Sequence, residues 1–95
     1  MMPIATYRIW VDGKRQECTG ILVTIPCGIK LILVKLSKSY QIYEYKTGAL
    51  AGTCKYINCA ADKVNELVDR IYEGDITKLI SSIDGYVRLY GAMNT

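Results

Sequence analysis

Histidine does not occur in this chain of 95 residues. Its absence removes Ser-His and Cys-His nucleophilic pairs and every metal site built on imidazole. No apolar run approaches the roughly 20 residues that a membrane-spanning helix needs. The start, Met1-Met2-Pro3-Ile4, has neither a basic n-region nor a long apolar h-region, so no secretory signal is read there. Asn-x-Ser/Thr sequons are also missing. An excess of acid is lacking too. The net charge is +3, which excludes an acidic mimic of nucleic acid and falls short of the clustered charge of a dedicated nucleic-acid binder. With no internal repeat and no low-complexity linker, the expectation is one cytoplasmic domain, residues 1–95, with no membrane partner.

What is present organises around Ile29-Lys30-Leu31-Ile32-Leu33-Val34-Lys35-Leu36. This run has the length and branched aliphatics of a strand, bounded by Pro26-Cys27-Gly28 and Ser37-Lys38-Ser39. Leu31 and Leu33 fall on one parity and Ile32, Val34 and Leu36 on the other, as in strands buried on both sides. A short buried helix is the alternative. As a central strand, it needs cover on both faces.

Around it, the alternation of Ile4 to Val11 predicts a strand, and Asp12-Gly13 predicts a tight hairpin into a second strand from about Arg15 to Ile25. Gly20 inside that strand signals a bulge or a close backbone approach. Tyr40 to Lys46 reads as a further strand, Thr47-Gly48 as a turn, and Leu50 to Ile57 as a fifth strand. The period then changes to that of a helix. Ala60, Ala61, Val64, Leu67, Val68 and Ile71 form its apolar stripe, with Asn58 or Cys59 as cap and Glu66–Arg70 as an i,i+4 pair. Asp75 caps a second helix carrying Ile76, Leu79, Ile80 and Ile83, which Asp84-Gly85 is expected to stop. Tyr86 to Tyr90 alternates again and reads as a last strand. The predicted fold is α+β: an antiparallel sheet of five to six strands with two short helices on one face, in β5-α2-β order.

Catalytic residues, metal ligands and cofactors are all expected to be none. Cys18, Cys27, Cys54 and Cys59 do not have zinc-knuckle spacing and read as small hydrophobes, with a Cys18–Cys27 disulfide as the pairing that their places beside one strand suggest. Cys59 at a helix start has an argument for a lowered pKa, but a packing or capping role is the simpler reading. Glu17 and Glu44 read as solvated charges. Gly48-x3-Gly52 lacks the Lys-Ser/Thr and helix of a phosphate loop.

The surface says more. Two helices can cover one sheet face. Tyr7, Ile9, Val11, Ile21, Val23, Ile25, Ile32, Val34, Val87 and Leu89 are assigned to it. The opposite parity then displays Trp10, Leu22, Leu31, Leu33, Tyr86, Arg88 and Tyr90, with Tyr43 or Tyr45 beside them, as a partner-binding face. The alternative is that parity slips at Gly20 or Gly52 and the sheet curls around a core. The first functional expectation is a non-enzymatic protein-binding module acting through that face or an edge strand, on another protein or as a homodimer. The second is a binder of single-stranded nucleic acid, stacking bases on Tyr43, Tyr45, Tyr86 and Tyr90 beside Lys30, Lys35, Lys46, Lys55 and Arg88.

The segment Tyr43-Glu44-Tyr45-Lys46-Thr47-Gly48, followed by a short strand and a helix beginning Ala60-Ala61-Asp62-Lys63, resembles small accessory proteins encoded by phages and other mobile elements. Those with known roles are often stoichiometric inhibitors of host machinery, anti-CRISPR proteins among them. The resemblance implies inhibition by binding and carries over no functional residues.

Overall fold

The computed structural model describes residues 4–35, 39–55 and 60–94. Its elements are β1 (Ile4–Val11), β2 (Lys14–Thr24), β3 (Lys30–Lys35), β4 (Tyr40–Glu44), β5 (Leu50–Cys54), α1 (Ala60–Glu73) and α2 (Ile76–Tyr90). The strands form one antiparallel sheet in sequence order. An α+β fold with a five-strand meander is what the alternation and turn residues predicted. The caps proposed at Asn58 and Cys59, and the strand residues Leu36, Tyr56 and Ile57, lie outside the described residues.

The turn chemistry sets the registers. Asp12 (φ 50) and Gly13 (φ 75) both take positive φ, as a two-residue hairpin loop requires. They pair Val11 with Lys14, and therefore Tyr7 with Cys18 and Ile4 with Ile21. At the next turn the Gly28 N–H donates to the Ile25 carbonyl and the Ile25 N–H to the Ile29 carbonyl, each at 2.9 Å. The loop is thus Pro26-Cys27-Gly28, and Leu22 faces Ile32 while Val23 faces Leu31. Counted through both loops, Leu22 shares a face with Tyr7, Ile9 and Ile32. Ile21 and Val23 share the other with Leu31 and Leu33. This reverses the assignment made from alternation within each strand.

The two faces of β3 are buried by different means. Tyr7, Ile9, Ile32, Val34 and Tyr43 form one buried cluster, with Val11, Cys18, Leu22 and Tyr45 packed at its edge. No helix covers it. The sheet curls instead, bringing the β1–β2 hairpin over β3 and β4. The alternative raised at Gly20 or Gly52 expected a curl around a single core, but two clusters form, and the register shift falls at Ile42/Tyr43 opposite Gly52, not at Gly20. β2 pairs with β1 up to Ile21 and with β3 only from Ile21 onward, so its two halves serve different neighbours. A Cβ at position 20 would lie 2.8 Å from Ile32 Cγ2 and 2.9 Å from the Leu33 carbonyl oxygen, so glycine is needed where the hairpin folds over.

On the other face, Ile25, Ile29, Leu31, Ile42 and Leu67 form a second cluster, joined by Leu33, Val64, Val68, Ile71, Ile80 and Ile83. Here the helices supply the cover, α1 crossing β5 close to Gly52, where a Cβ would meet Lys63 at 3.1 Å and Leu67 at 3.4 Å. The helices therefore sit on the parity expected to be open. Asp75 caps α2 as predicted, accepting from the Lys78 N–H at 3.0 Å.

The last predicted strand is not formed. α2 runs through Asp84-Gly85 to Tyr90, and Gly91 ends it by donating to the Val87 carbonyl. Tyr86-Val87-Arg88-Leu89-Tyr90 alternates, yet Ile76, Ile80, Ile83 and Val87 also keep helical spacing, and one interior glycine costs a helix only about 1 kcal/mol. Tertiary contact outweighs that.

The chain end closes the curl. Asn94 Oδ1 accepts from the Arg8 N–H at 2.7 Å, and its Nδ2 donates to the carbonyls of Arg8 and Tyr45, each at 2.8 Å. The Met93 N–H donates to the Lys46 carbonyl at 2.7 Å and the Trp10 N–H to the Gly48 carbonyl at 2.9 Å. Asn94 thus ties the β1 edge to the β4–β5 turn. Asn94→Ala strips all three side-chain bonds and is expected to cost about 2 kcal/mol, read as a lowered urea midpoint. A loss below about 0.5 kcal/mol, the size of an ordinary surface change, shows the tail to be ornamental. Gly85 has a negative φ and open space around its Cα. Gly85→Ala is therefore expected to stabilise by about 0.5–1 kcal/mol, whereas a strand break there would make alanine neutral.

Candidate functional site

Of the residues expected to form a partner-binding face, the structure brings three together. Trp10 is carried on β1 directly opposite Arg15 of β2, and the Arg15 guanidinium carbon lies 5.7 Å from the centre of the indole ring. α2 arrives over the same face and places Tyr86 so that its hydroxyl accepts from Trp10 Nε1 at 2.9 Å. One helical turn later Tyr90 packs on Tyr86, with ring centroids 4.9 Å apart. Trp10, Tyr86 and Tyr90 thus make one continuous aromatic ridge running from the sheet onto the helix.

The rest disperses. Leu31 and Tyr43 are buried at 2% and 3% exposure, in different clusters. Leu22 and Tyr45 are half-buried beside the first cluster and Leu33 beside the second. All five are packing residues, and the physical reason is the register reversal together with the curl. Arg88 is exposed on α2, but two residues along a helix turn it to the side away from Tyr86.

Sequence reasoning missed the helix's own outer flank. α2 contains no fully buried residue, although Ile76, Leu79, Ile80, Ile83, Val87 and Leu89 are all aliphatic. Ile80 and Ile83 turn to the sheet, while Leu79, Leu89 and Tyr90 stand exposed at 36%, 77% and 65%. At 100° per residue, Leu79, Tyr86, Leu89 and Tyr90 share one flank with Lys78 and Ser82. The signal was present: reading 76–90 as a single helix yields an apolar stripe too wide for one buried face. Leu89, assigned to the covered face, is the most exposed large hydrophobic side chain among the described residues.

Charges of both signs lie near the Trp10 end, since Glu17 shares the sheet face of Trp10 and Arg15. Arg15 lies at the Trp10 end, and Lys78 lies in the first turn of α2, at the end away from Leu89. Asp84 comes off the far side of α2 and pairs with Lys46 at 3.8 Å, and the Asp75 carboxylate is engaged as the helix cap.

Thiol chemistry lies elsewhere. Cys18 and Cys27 are free, so the proposed Cys18–Cys27 bridge is not formed. Cys54, nearly fully buried on β5, is disulfide-bonded and not the plain hydrophobe expected. Burial raises the Cys18 thiol above its ordinary value of 9.0. Burial, and then the charges of Cys18 and Asp12, raise the Tyr43 phenol. The chain was compared with protein-family models, curated proteins and solved structures, and it matches none of them.

A raised acid pKa in the folded state favours the protonated group, so the stability it lends is whole below the unfolded pKa and is lost as pH rises above it. Folding stability is expected to hold level to about pH 8 and to fall above about pH 9, the thiol range. In Cys18→Ala the fall should begin later, near the tyrosine range of about 10. An unchanged pH profile in that variant would exonerate the thiol.

Proposed function

We propose that this protein is a non-enzymatic binding module that acts by protein–protein contact through the ridge of Trp10, Tyr86 and Tyr90 and the adjoining strip of Leu79 and Leu89. The observation that carries this reading is a helix whose aliphatic and aromatic side chains spread over a wide stripe with no fully buried residue, Leu89 and Tyr90 standing well exposed. Large apolar side chains held on a capped helix, beside aromatics and an arginine, are the composition from which interface hot spots are made. Arg15, stacked over the Trp10 ring, fits a different protein whose apolar segment carries a carboxylate at that end. Tryptophan on the sheet, hydrogen-bonded to Tyr86, gives the strip a fixed base.

The inhibitor role, including inhibition of the anti-CRISPR kind, belongs to the same proposal and rests on the phage-protein resemblance alone. A cytoplasmic location, expected from the lack of a secretory signal and of a long apolar run, also belongs to the proposal, and the disulfide at Cys54 counts against it, since reducing compartments work against such bonds. No helix among the described residues is long and apolar enough to cross a membrane. The nucleic-acid reading loses Tyr43, whose ring is enclosed, and gains no observation in exchange.

Two substitutions at exposed positions, Leu89→Asp with Tyr90→Asp, test the reading without disturbing the core. Light scattering is expected to find the wild type monomeric. A dimer that the double variant converts to monomer gives the strip to a second copy instead. A synthetic amphipathic helix with a leucine face bordered by glutamates should bind the wild type saturably, followed by Trp10 fluorescence. The double variant should bind at least tenfold more weakly, since each anchor is worth ~2 kcal/mol. Equal affinity for both proteins, or for a lysine-bordered version of the peptide, removes the strip as the site.

A further inference from the structure

On the side of β1 away from β2 the backbone presents an edge, and one side chain already sits on it. The two-residue loop makes Val11 and Lys14 a hydrogen-bonded pair. Alternation along the antiparallel pair then points the N–H and C=O of Ala5, Tyr7 and Ile9 at β2, and those of Ile4, Thr6, Arg8 and Trp10 outward. The Trp10 N–H reaches the Gly48 carbonyl at 2.9 Å. Arg8 has both outward groups taken by the Asn94 carboxamide, which accepts from its N–H at 2.7 Å and donates to its carbonyl at 2.8 Å. The outward groups of Ile4 and Thr6 have no backbone partner among the described residues. Both residues are exposed, Ile4 at 70%.

A carboxamide that accepts from the N–H and donates to the C=O of one residue does the work of the facing residue in an antiparallel ladder. Its nitrogen also donates to the Tyr45 carbonyl at 2.8 Å on its far side, as a strand lying between two others would. Asn94 thus fills one rung of a place where a strand could run. The tail is anchored by a different residue. Met93 is buried, its N–H bonds the Lys46 carbonyl, and its Cγ lies 2.9 Å from where a Cβ on Gly48 would be. Asn94 itself is only half-buried.

We propose that the outer edge of β1, from Ile4 to Arg8, accepts an extended segment of another protein as a sixth, antiparallel strand, and that Asn94 is a placeholder which this segment displaces while Met93 stays in place. The segment that fits is β-branched and uncharged. Ile4 and Thr6 would face its side chains, and β-branched residues pair well across strands. Arg8 has Glu17 opposite it on β2, so the edge asks for no counter-charge. A second copy fits less well. Two β1 edges meeting about Ala5 pair only Ile4 with Thr6, and a longer ladder requires both Asn94 side chains to leave. This inference goes beyond the aromatic strip, since the outward N–H of Trp10 is held by Gly48 and the two sites share no residue.

The probe is a blocked peptide of alternating threonine and valine with a lysine at each end, titrated into the intact protein and followed by NMR. The same peptide with proline in place of valine is the control, since it cannot form a ladder. Saturable amide shifts are expected at residues 4–8 and 94. The Thr6 N–H should exchange freely in the unbound protein and become protected on binding, whereas the Tyr7 N–H is protected throughout. Asn94→Ala should bind the peptide at least tenfold more tightly than the wild type, because the three bonds of Asn94 no longer have to be displaced. Asn94→Asp, whose carboxylate cannot donate to the Arg8 and Tyr45 carbonyls, replaces it if that variant does not fold. In either background Thr6→Pro removes an outward donor without taking one from the β1–β2 ladder and should weaken binding tenfold or more, with Ile4→Pro as the substitute. Equal affinity of the wild type and the Asn94 variant, binding untouched by proline on the edge, or shifts confined to Tyr86, Leu89 and Tyr90 would each overturn the assignment. So would a peptide-free dimer of Asn94→Ala, which gives the edge to a second copy.

Discussion

A single missing side chain governs the shape of this sheet. At position 20 the backbone of β2 passes so close to β3 that a methyl group would sit within 3 Å of both the Ile32 side chain and the Leu33 carbonyl. Because glycine allows that approach, β2 can serve β1 with one half and β3 with the other. The hairpin then folds over and covers Ile32, Val34 and Tyr43 with Tyr7 and Ile9. A flat sheet of these five strands would need a second layer of helices on that face. The curl makes such a layer unnecessary.

Closing one face by curling releases the helices for the other, where α1 contributes Val64, Leu67, Val68 and Ile71 and α2 only part of its apolar stripe. The turn between β4 and β5 holds the ends together. Glu44 organises that turn by accepting two backbone N–H groups, the Trp10 N–H bonds its Gly48 carbonyl, and the chain's end bonds its Lys46 carbonyl. The same turn anchors the strand that carries Trp10. Stability and surface chemistry thus share residues, and Asn94 is the clearest case.

The candidate surface follows from α2 having more apolar side than the sheet can cover. Helices usually match the width of their apolar stripe to the face they bury. Here Leu79, Leu89 and Tyr90 lie beyond the sheet's reach, and the hydrogen bond from Trp10 to Tyr86 continues the exposed aromatics onto the β1 strand. Arg15 borders this strip at Trp10, whereas Asp84 pairs with Lys46 on the other side of α2. The two flanks of α2 therefore offer different chemistry.

Much of the architecture was legible before any coordinates, because turn and cap residues act locally. Asp12-Gly13, Pro26-Cys27-Gly28, Thr47-Gly48 and Asp75 each dictate their own backbone, and they place all five strands and the starts of their connections. The β1–β2 and β2–β3 registers follow from counting across the two- and three-residue loops, a step that alternation within single strands does not take, whereas the shift between Ile42 and Tyr43 in the β4–β5 pairing does not. The strand expected at Tyr86–Tyr90 shows the limit: five residues fit two periods equally well, and contact with the sheet chose the helix. Of the site, Trp10, Tyr86 and Tyr90 were recognisable by residue type, whereas their meeting depends on the crossing of α2 over β1. The sequence by itself determined where the chain turns and which side chains seek burial. Only the tertiary structure decided which apolar face the helices cover and which the curl encloses, because both faces of β3 are equally apolar and packing alone breaks the tie.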